Sequence, residues 1–321
     1  DSDSVLAQST GTGTANTIFG KDAGDAMQAG GTYNTFFGQD AGTALTTGDH
    51  NTFIGASAGA AAVDVDRVTL IGKEAGYAVN SSDSDGMLAV GWKAGYDLTS
   101  AIGSTLVGYQ AGANITTGDY NTVLGYNALS NLVTAGNSTA IGYGALQYST
   151  TGNNTALGFY AGLNNEEGEY NTFVGRSAGA GTTSGDGRLD GDYNTLIGYG
   201  AGFVIQGASN KNTIVGALAG YNLTTGVYNT VMGYNAGNDI TDGEYNTLIG
   251  STAGDNITTG DRNIAIGYGA MGIAQDVDRC VAIGYAAFDA CNSSDADGTT
   301  AIGYYALSEN TTGQYNTAIG Y

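Results

Sequence analysis

Eight aspartates, spaced in two matching sets, are the ionisable groups best placed to do chemistry in this chain. Asp64-Val65-Asp66-Arg67 is followed by Asn80-Ser81-Ser82-Asp83-Ser84-Asp85-Gly86. The pattern returns 212 residues later as Asp276-Val277-Asp278-Arg279 and Asn292-Ser293-Ser294-Asp295-Ala296-Asp297-Gly298. If Asp64 stacks near Asp83 and Asp66 near Asp85, and Asp276 near Asp295 and Asp278 near Asp297, each set gathers four carboxylates that repel one another unless neutralised. A Ca²⁺ ion, which takes about six to eight oxygen ligands in flexible loops, would do so. The alternative is a solvated acidic edge balanced by Arg67 and Arg279. Neither an EF-hand loop nor a Gly-Gly-x-Gly-x-Asp calcium repeat is present. Two cysteines, Cys280 and Cys291, stand where the first copy has Val68 and Val79. The exchange of two valines for two cysteines makes them expected neighbours, either as an intra-coil disulfide in an oxidising compartment or as two buried thiols. The single histidine, His50, excludes a His-cluster zinc site.

What positions these groups is a repeat. The pattern Asn-Thr-x-Ile-Gly-Tyr-x-Ala-Gly recurs along the chain, and its first glycine serves as an anchor at eighteen positions from Gly20 to Gly320. Eleven of the seventeen intervals between anchors are 17 residues. The longest, 23 residues between Gly175 and Gly198, contains the Gly- and Asp-rich insert Thr182 to Asp192. A 17-residue unit is too short for a helical pair or a propeller blade. It fits one coil of an all-β parallel solenoid, with Thr-x-Ile as a strand and Thr-Thr-Gly-Asp-Tyr as a turn. About 18 such coils, stacked at about 4.8 Å each, predict a rod of about 85 Å over residues 16–321. Residues 1–15 form an N-terminal arm rich in Ser, Thr and Gly.

Composition agrees. The chain has 55 glycines and no proline, with 41% hydrophobic residues, so it can bury a core while keeping every backbone donor for a ladder. Thirty acidic against nine basic residues give a net charge of −21, which argues against nucleic acid or an anionic membrane as partner. No apolar stretch is long enough for membrane insertion.

The repeat also assigns faces. The residues one and three before the anchor share a face. The first of these is apolar in all eighteen coils and the second is Thr in fifteen, so the Thr row is expected to line the interior. The residue two before the anchor then faces outward, yet it too is apolar in all eighteen coils, as in Ile18, Phe36, Phe53 and Leu70. A strand apolar on both faces is buried on both, and identical chains around a common axis bury the second stripe most economically. Asn recurs four before the anchor in twelve coils and suits a stacked amide ladder. Eleven coils place an aromatic residue just after the anchor, a row suited to self-stacking or to glycan binding.

Ser138-Thr139-Ala140-Ile141-Gly142-Tyr143-Gly144-Ala145, and Asn316 to Tyr321, resemble the head repeats of trimeric autotransporter adhesins and the Asn-Thr-Ala-Ile-Gly-Tyr repeats of tail-fibre proteins. The resemblance implies a left-handed β-roll, assembled as a homotrimer and displayed outside a cell, on a cell surface or on a virion surface, with a host-surface or glycan ligand. The coil is longer than the adhesin head repeat, and no coiled-coil stalk or membrane-anchor barrel is present. The uncapped repeat at Tyr321 leaves end-to-end polymerisation as a further mode of self-association. The expected function is a non-enzymatic structural fibre or filament subunit, with a tail-fibre-like receptor-binding module as the alternative. An enzymatic pocket would have to be built by the insert Thr182 to Asp192.

Overall fold

A computed structural model describes residues 15–182, 188–291 and 296–321. Of the arm expected over residues 1–15, only Ala15 is among them. The fold is the expected all-β parallel solenoid, with 18 strands of three residues each. Two compact units divide the chain, Asp1–Asn154 and Thr155–Tyr321.

The first unit carries β1 (Thr17–Phe19), β2 (Thr35–Phe37), β3 (Thr52–Ile54) and five further strands to β8 (Thr139–Ile141). Neighbours pair in parallel and in register, with Thr35, Phe36 and Phe37 of β2 opposite Thr52, Phe53 and Ile54 of β3. The second unit repeats this from β9 (Thr155–Leu157) to β18 (Thr317–Ile319). Hydrogen bonds link successive coils outside the strands as well: the Ser57 N–H donates to Gln39 O at 2.8 Å, Gly59 to Ala75 O at 3.0 Å and Arg67 to Asp49 O at 2.9 Å. A proline at any of these positions would delete a rung, which is the physical content of its absence.

Each strand ends at an anchor glycine whose φ lies between +127° and +150°, a region open only to glycine. At Gly55 a Cβ would stand 2.4 Å from the Gly72 carbonyl oxygen of the next coil. Conformation and coil spacing therefore both require glycine there. Other turns put ordinary residues in the left-handed region, including Tyr33, His50 and Arg67 at φ of +56° to +60°. The His50 and Arg67 N–H groups bond to the preceding coil, His50 to Thr32 O at 3.0 Å and Arg67 to Asp49 O at 2.9 Å.

The face assignment from the sequence is reversed. The middle residue of each triplet points inward: Phe36, Phe53, Leu70, Leu106, Phe173 and Leu196 are fully buried. The flanking Thr and the residue before the anchor point outward, as Thr35 and Phe37 do beside buried Phe36. Those two rows do share a face, as expected, but it is the outer one. The reason is geometric. A three-residue strand entering and leaving turns offers the interior its one central side chain, and the rest of the thin core comes from elsewhere in the coil. Ala41, Leu45, Asn51 and Val65 supply it around Phe36 and Phe53, all of them buried.

Candidate functional site

The aspartates occupy a ladder, and the backbone is its principal partner. In the first unit Asp66 Oδ1 accepts the Asp49 N–H at 2.7 Å, and Asp85 Oδ1 accepts the Asp66 N–H at 3.0 Å. Arg67 Nη2 meets Asp85 Oδ2 at 2.6 Å. The second unit repeats this: Asp278 Oδ1 accepts from Asp261 N–H at 2.8 Å, and Asp297 Oδ1 from Asp278 N–H at 2.9 Å. Arg279 stands 3.7 Å from Asp297. The register thus brings Asp66 to Asp85 and Asp278 to Asp297, with each lower carboxylate holding the backbone above it.

The other members sit at the edge. Asp64 Oδ1 accepts the Thr47 hydroxyl at 3.0 Å. Asp276 Oδ1 accepts both Thr258 and Thr259 hydroxyls at 2.7 Å, and these two bonds hold its carboxyl below the usual range. Asp83 lies in a single 3₁₀ turn, Ser82–Ser84, its N–H bonded to Ser81 Oγ at 3.2 Å. Asp295 lies outside the described residues. Among the described residues, no group of three or more His, Cys, Asp or Glu side chains is arranged to hold a metal ion. The sequence pattern showed the two Asp sets but missed that Asp49, Asp192 and Asp261 belong to the same row, six residues before their anchors. Asp192 likewise accepts the Glu169 N–H at 2.8 Å.

Cys280 and Cys291 are both thiols and both buried. Cys280 occupies the amide row, where its N–H donates to Asn263 Oδ1 at 3.0 Å and its thiol points at Ala296 O, 3.5 Å away. Burial pushes the Cys280 thiol up to about 11, and the Asp297 charge adds to the rise against opposing backbone hydrogen bonds. A thiol held there stays protonated at neutral pH and makes a poor nucleophile or metal ligand.

The amide ladder forms as the repeat implies. Asn229 Oδ1 accepts the Asn246 N–H at 2.9 Å, while its Nδ2 donates to Gly243 O at 2.8 Å. The same pair of bonds recurs at Asn246 and Asn263. Asn229, Asn246 and Asn263 thus each tie their own coil to the next one.

The aromatic row stacks on itself. Trp92, Tyr109, Tyr126 and Tyr143 lie at centroid spacings of 4.7, 4.6 and 5.0 Å, nearly parallel. Tyr268, Tyr285 and Tyr304 repeat this at 5.2 Å in the second unit. Inside such a ladder both faces of a ring are covered by its neighbours, so the interior rings present edges rather than faces to a sugar.

Beside the aromatic row runs the outward apolar row. Phe37 is 54% exposed, Leu124 48%, Leu157 47% and Met232 45%. The chain matches no protein-family model and no curated protein. No helix among the described residues is long and apolar enough to cross a membrane.

Proposed function

We propose that this chain is a non-enzymatic structural fibre subunit whose solenoids associate side by side with identical copies, as a homotrimer. One observation carries the reading: on the outward face of the strands, the residue before each anchor is apolar in every coil and well exposed in many of them. Burial of apolar surface contributes about 25 cal/mol per Å², and regularly spaced residues along the coils add up. A partner with the same repeat matches that spacing coil for coil, which favours another copy of the chain over an unrelated surface. The buried side-chain chemistry fits a scaffold. The amides of the interior row, and half-buried carboxylates such as Asp66 and Asp278 beside it, are engaged in coil-to-coil hydrogen bonds.

The resemblance to adhesin heads and tail-fibre repeats supports a left-handed roll and a place outside the cell, on a cell surface or a virion. Sedimentation equilibrium of the purified chain, with negative-stain electron microscopy, tests the assembly. A trimer that forms slender particles is expected. A monodisperse monomer at micromolar concentration would overturn the reading.

A further inference from the structure

The aromatic row of the second unit is interrupted by a cation. Three successive coils place Phe159, Arg176 and Tyr199 just after their anchors. The Arg176 guanidinium carbon lies 5.7 Å from the Phe159 ring centroid and 5.8 Å from that of Tyr199, so it stands where a ring would otherwise stack. Around it is a cleft of about 340 Å³ whose walls include Tyr160, Ser177, Phe203 and Tyr221. A second hollow of about 370 Å³ adjoins it and shares Tyr160, Ser177 and Phe203. Phe159 and Tyr160 meet at 53°, outside the parallel geometry of the ladders.

The charge on Arg176 is anomalous. The chain has five arginines, and four of them have a carboxylate within ion-pair distance: Arg67 with Asp85, Arg188 with Glu166, Arg262 with Asp261 and Arg279 with Asp297. Among the described residues Arg176 has none, although the chain carries a net charge of −21. Stacking uses the faces of a guanidinium and leaves its planar fork of N–H donors at the edge, the geometry that binds a carboxylate through two parallel hydrogen bonds. Aromatic walls accept the C–H face of a pyranose ring, and the Ser177 hydroxyl adds a donor and acceptor. The surrounding negative field disfavours a doubly charged phosphate more than a singly charged carboxylate.

We propose that this cleft binds a carboxylate-bearing pyranose, a uronic or sialic acid unit of a glycan, with its carboxylate on Arg176 and its ring against Tyr199 and Phe203. The site is independent of the fibre reading, since its residues belong to one chain. Isothermal titration calorimetry of the full chain tests it with two probes, oligogalacturonate and sialyllactose, each beside its methyl ester. Saturable binding of at least one acid is expected, and the acid that binds assigns the source of the sugar. The affinity should fall at least about tenfold on esterification and in Arg176→Met, the loss of a charge-assisted bidentate pair. Arg176→Lys should keep only part of it. No binding of either acid, or equal binding of acid and ester by the native chain, would overturn the proposal without reference to any variant. Undiminished affinity in Arg176→Met, or a lowered melting temperature in that variant with no probe bound by the native chain, would reduce Arg176 to a stacking residue.

Discussion

At the scale of single residues, the coil makes opposite demands on groups of one type. Aspartates such as Asp66, Asp85, Asp278 and Asp297 accept a backbone N–H from the neighbouring coil, whereas Asp255 is held against its preference. Burial pushes its carboxyl up to about 6, and neighbouring Asp239 pushes the same way, while the Asn235 side-chain amide, 2.6 Å away, opposes both. An unfolded aspartate titrates near 3.9. The folded chain therefore binds this proton more tightly, and stability declines as pH rises from about 4 to about 6, remaining lower above that. Asp255→Asn keeps an oxygen for Asn235 and removes the charge. Its melting temperature should exceed that of the native chain at pH 7, and the difference should vanish near pH 4; an equal gain at both pH values would show that the charge is not the cause. Glycines divide similarly. At Gly269, φ +61°, a Cβ would meet only the Thr252 hydroxyl oxygen at 4.0 Å, an ordinary contact, so Gly269→Ala should cost only about 1 kcal/mol for the left-handed backbone. Gly55→Ala meets the next coil's carbonyl and should cost several times more in a denaturant titration.

At the scale of the element, the unit of cohesion is the rung between coils, and the amide row makes its weight measurable. Asn229→Leu fills the same space but strands the buried Asn246 N–H and the Gly243 carbonyl, a loss of roughly 2–3 kcal/mol. Asn229→Ser should cost less, because Ser104 already serves in this row, its hydroxyl accepting the Asn121 N–H at 3.2 Å. Urea unfolding of the two variants should rank them in that order. The repeat period made coils, strands, register and amide ladder legible in the sequence, because each depends on spacing alone. The inner face was not legible from hydrophobicity, since Phe36 and Phe37 are equally apolar. A subtler signal was present. Where the central strand residue is large, as in Phe36 or Phe53, the residue four after the anchor is glycine, Gly42 or Gly59; a large residue stands there, as in Leu146, Met271 or Phe288, where the central residue is small, as in Ala140, Ala265 or Ala282, although Ala89 and Ala156 keep glycine, Gly95 and Gly162. A Cβ on Gly42 would lie 3.0 Å from the Phe36 ring, so the two positions share one interior volume. The Asp66–Asp85 and Asp278–Asp297 neighbours were legible as such but not as backbone acceptors, because spacing gives proximity without giving the direction of a side chain. The Arg176 cleft was legible only as a missing ring, since its walls come from turns of several coils.

At the scale of the whole molecule, two long-range properties oppose each other. In the proposed assembly the outward apolar row is the attractive element between like chains, and a net charge of −21 on each is the repulsive one. Described basic residues are largely committed within the chain, Arg67 and Arg279 to aspartates and Lys93 to Glu74 at 3.3 Å, so few cations are left to bridge one copy to another. Association that rests on apolar burial against charge repulsion strengthens with salt, because screening weakens only the opposing force. The Debye length shrinks from about 30 Å at 0.01 M to about 8 Å at 0.15 M ionic strength. Mass photometry across that range should therefore show the oligomer persisting to lower protein concentration at the higher salt. An interface made of ion pairs would respond in the opposite sense, and that result would move the contact away from the apolar row. Leu124→Lys and Leu157→Lys place a cation in this row, one in each unit, at side chains that are already solvent-exposed in the single chain. Both variants should keep the folded chain's circular dichroism spectrum, because these side chains lie on the outer row rather than in the core, while the oligomer should dissociate at every salt concentration. Intact oligomers in both would mean that copies meet through another face, with the exposed row left to a different partner.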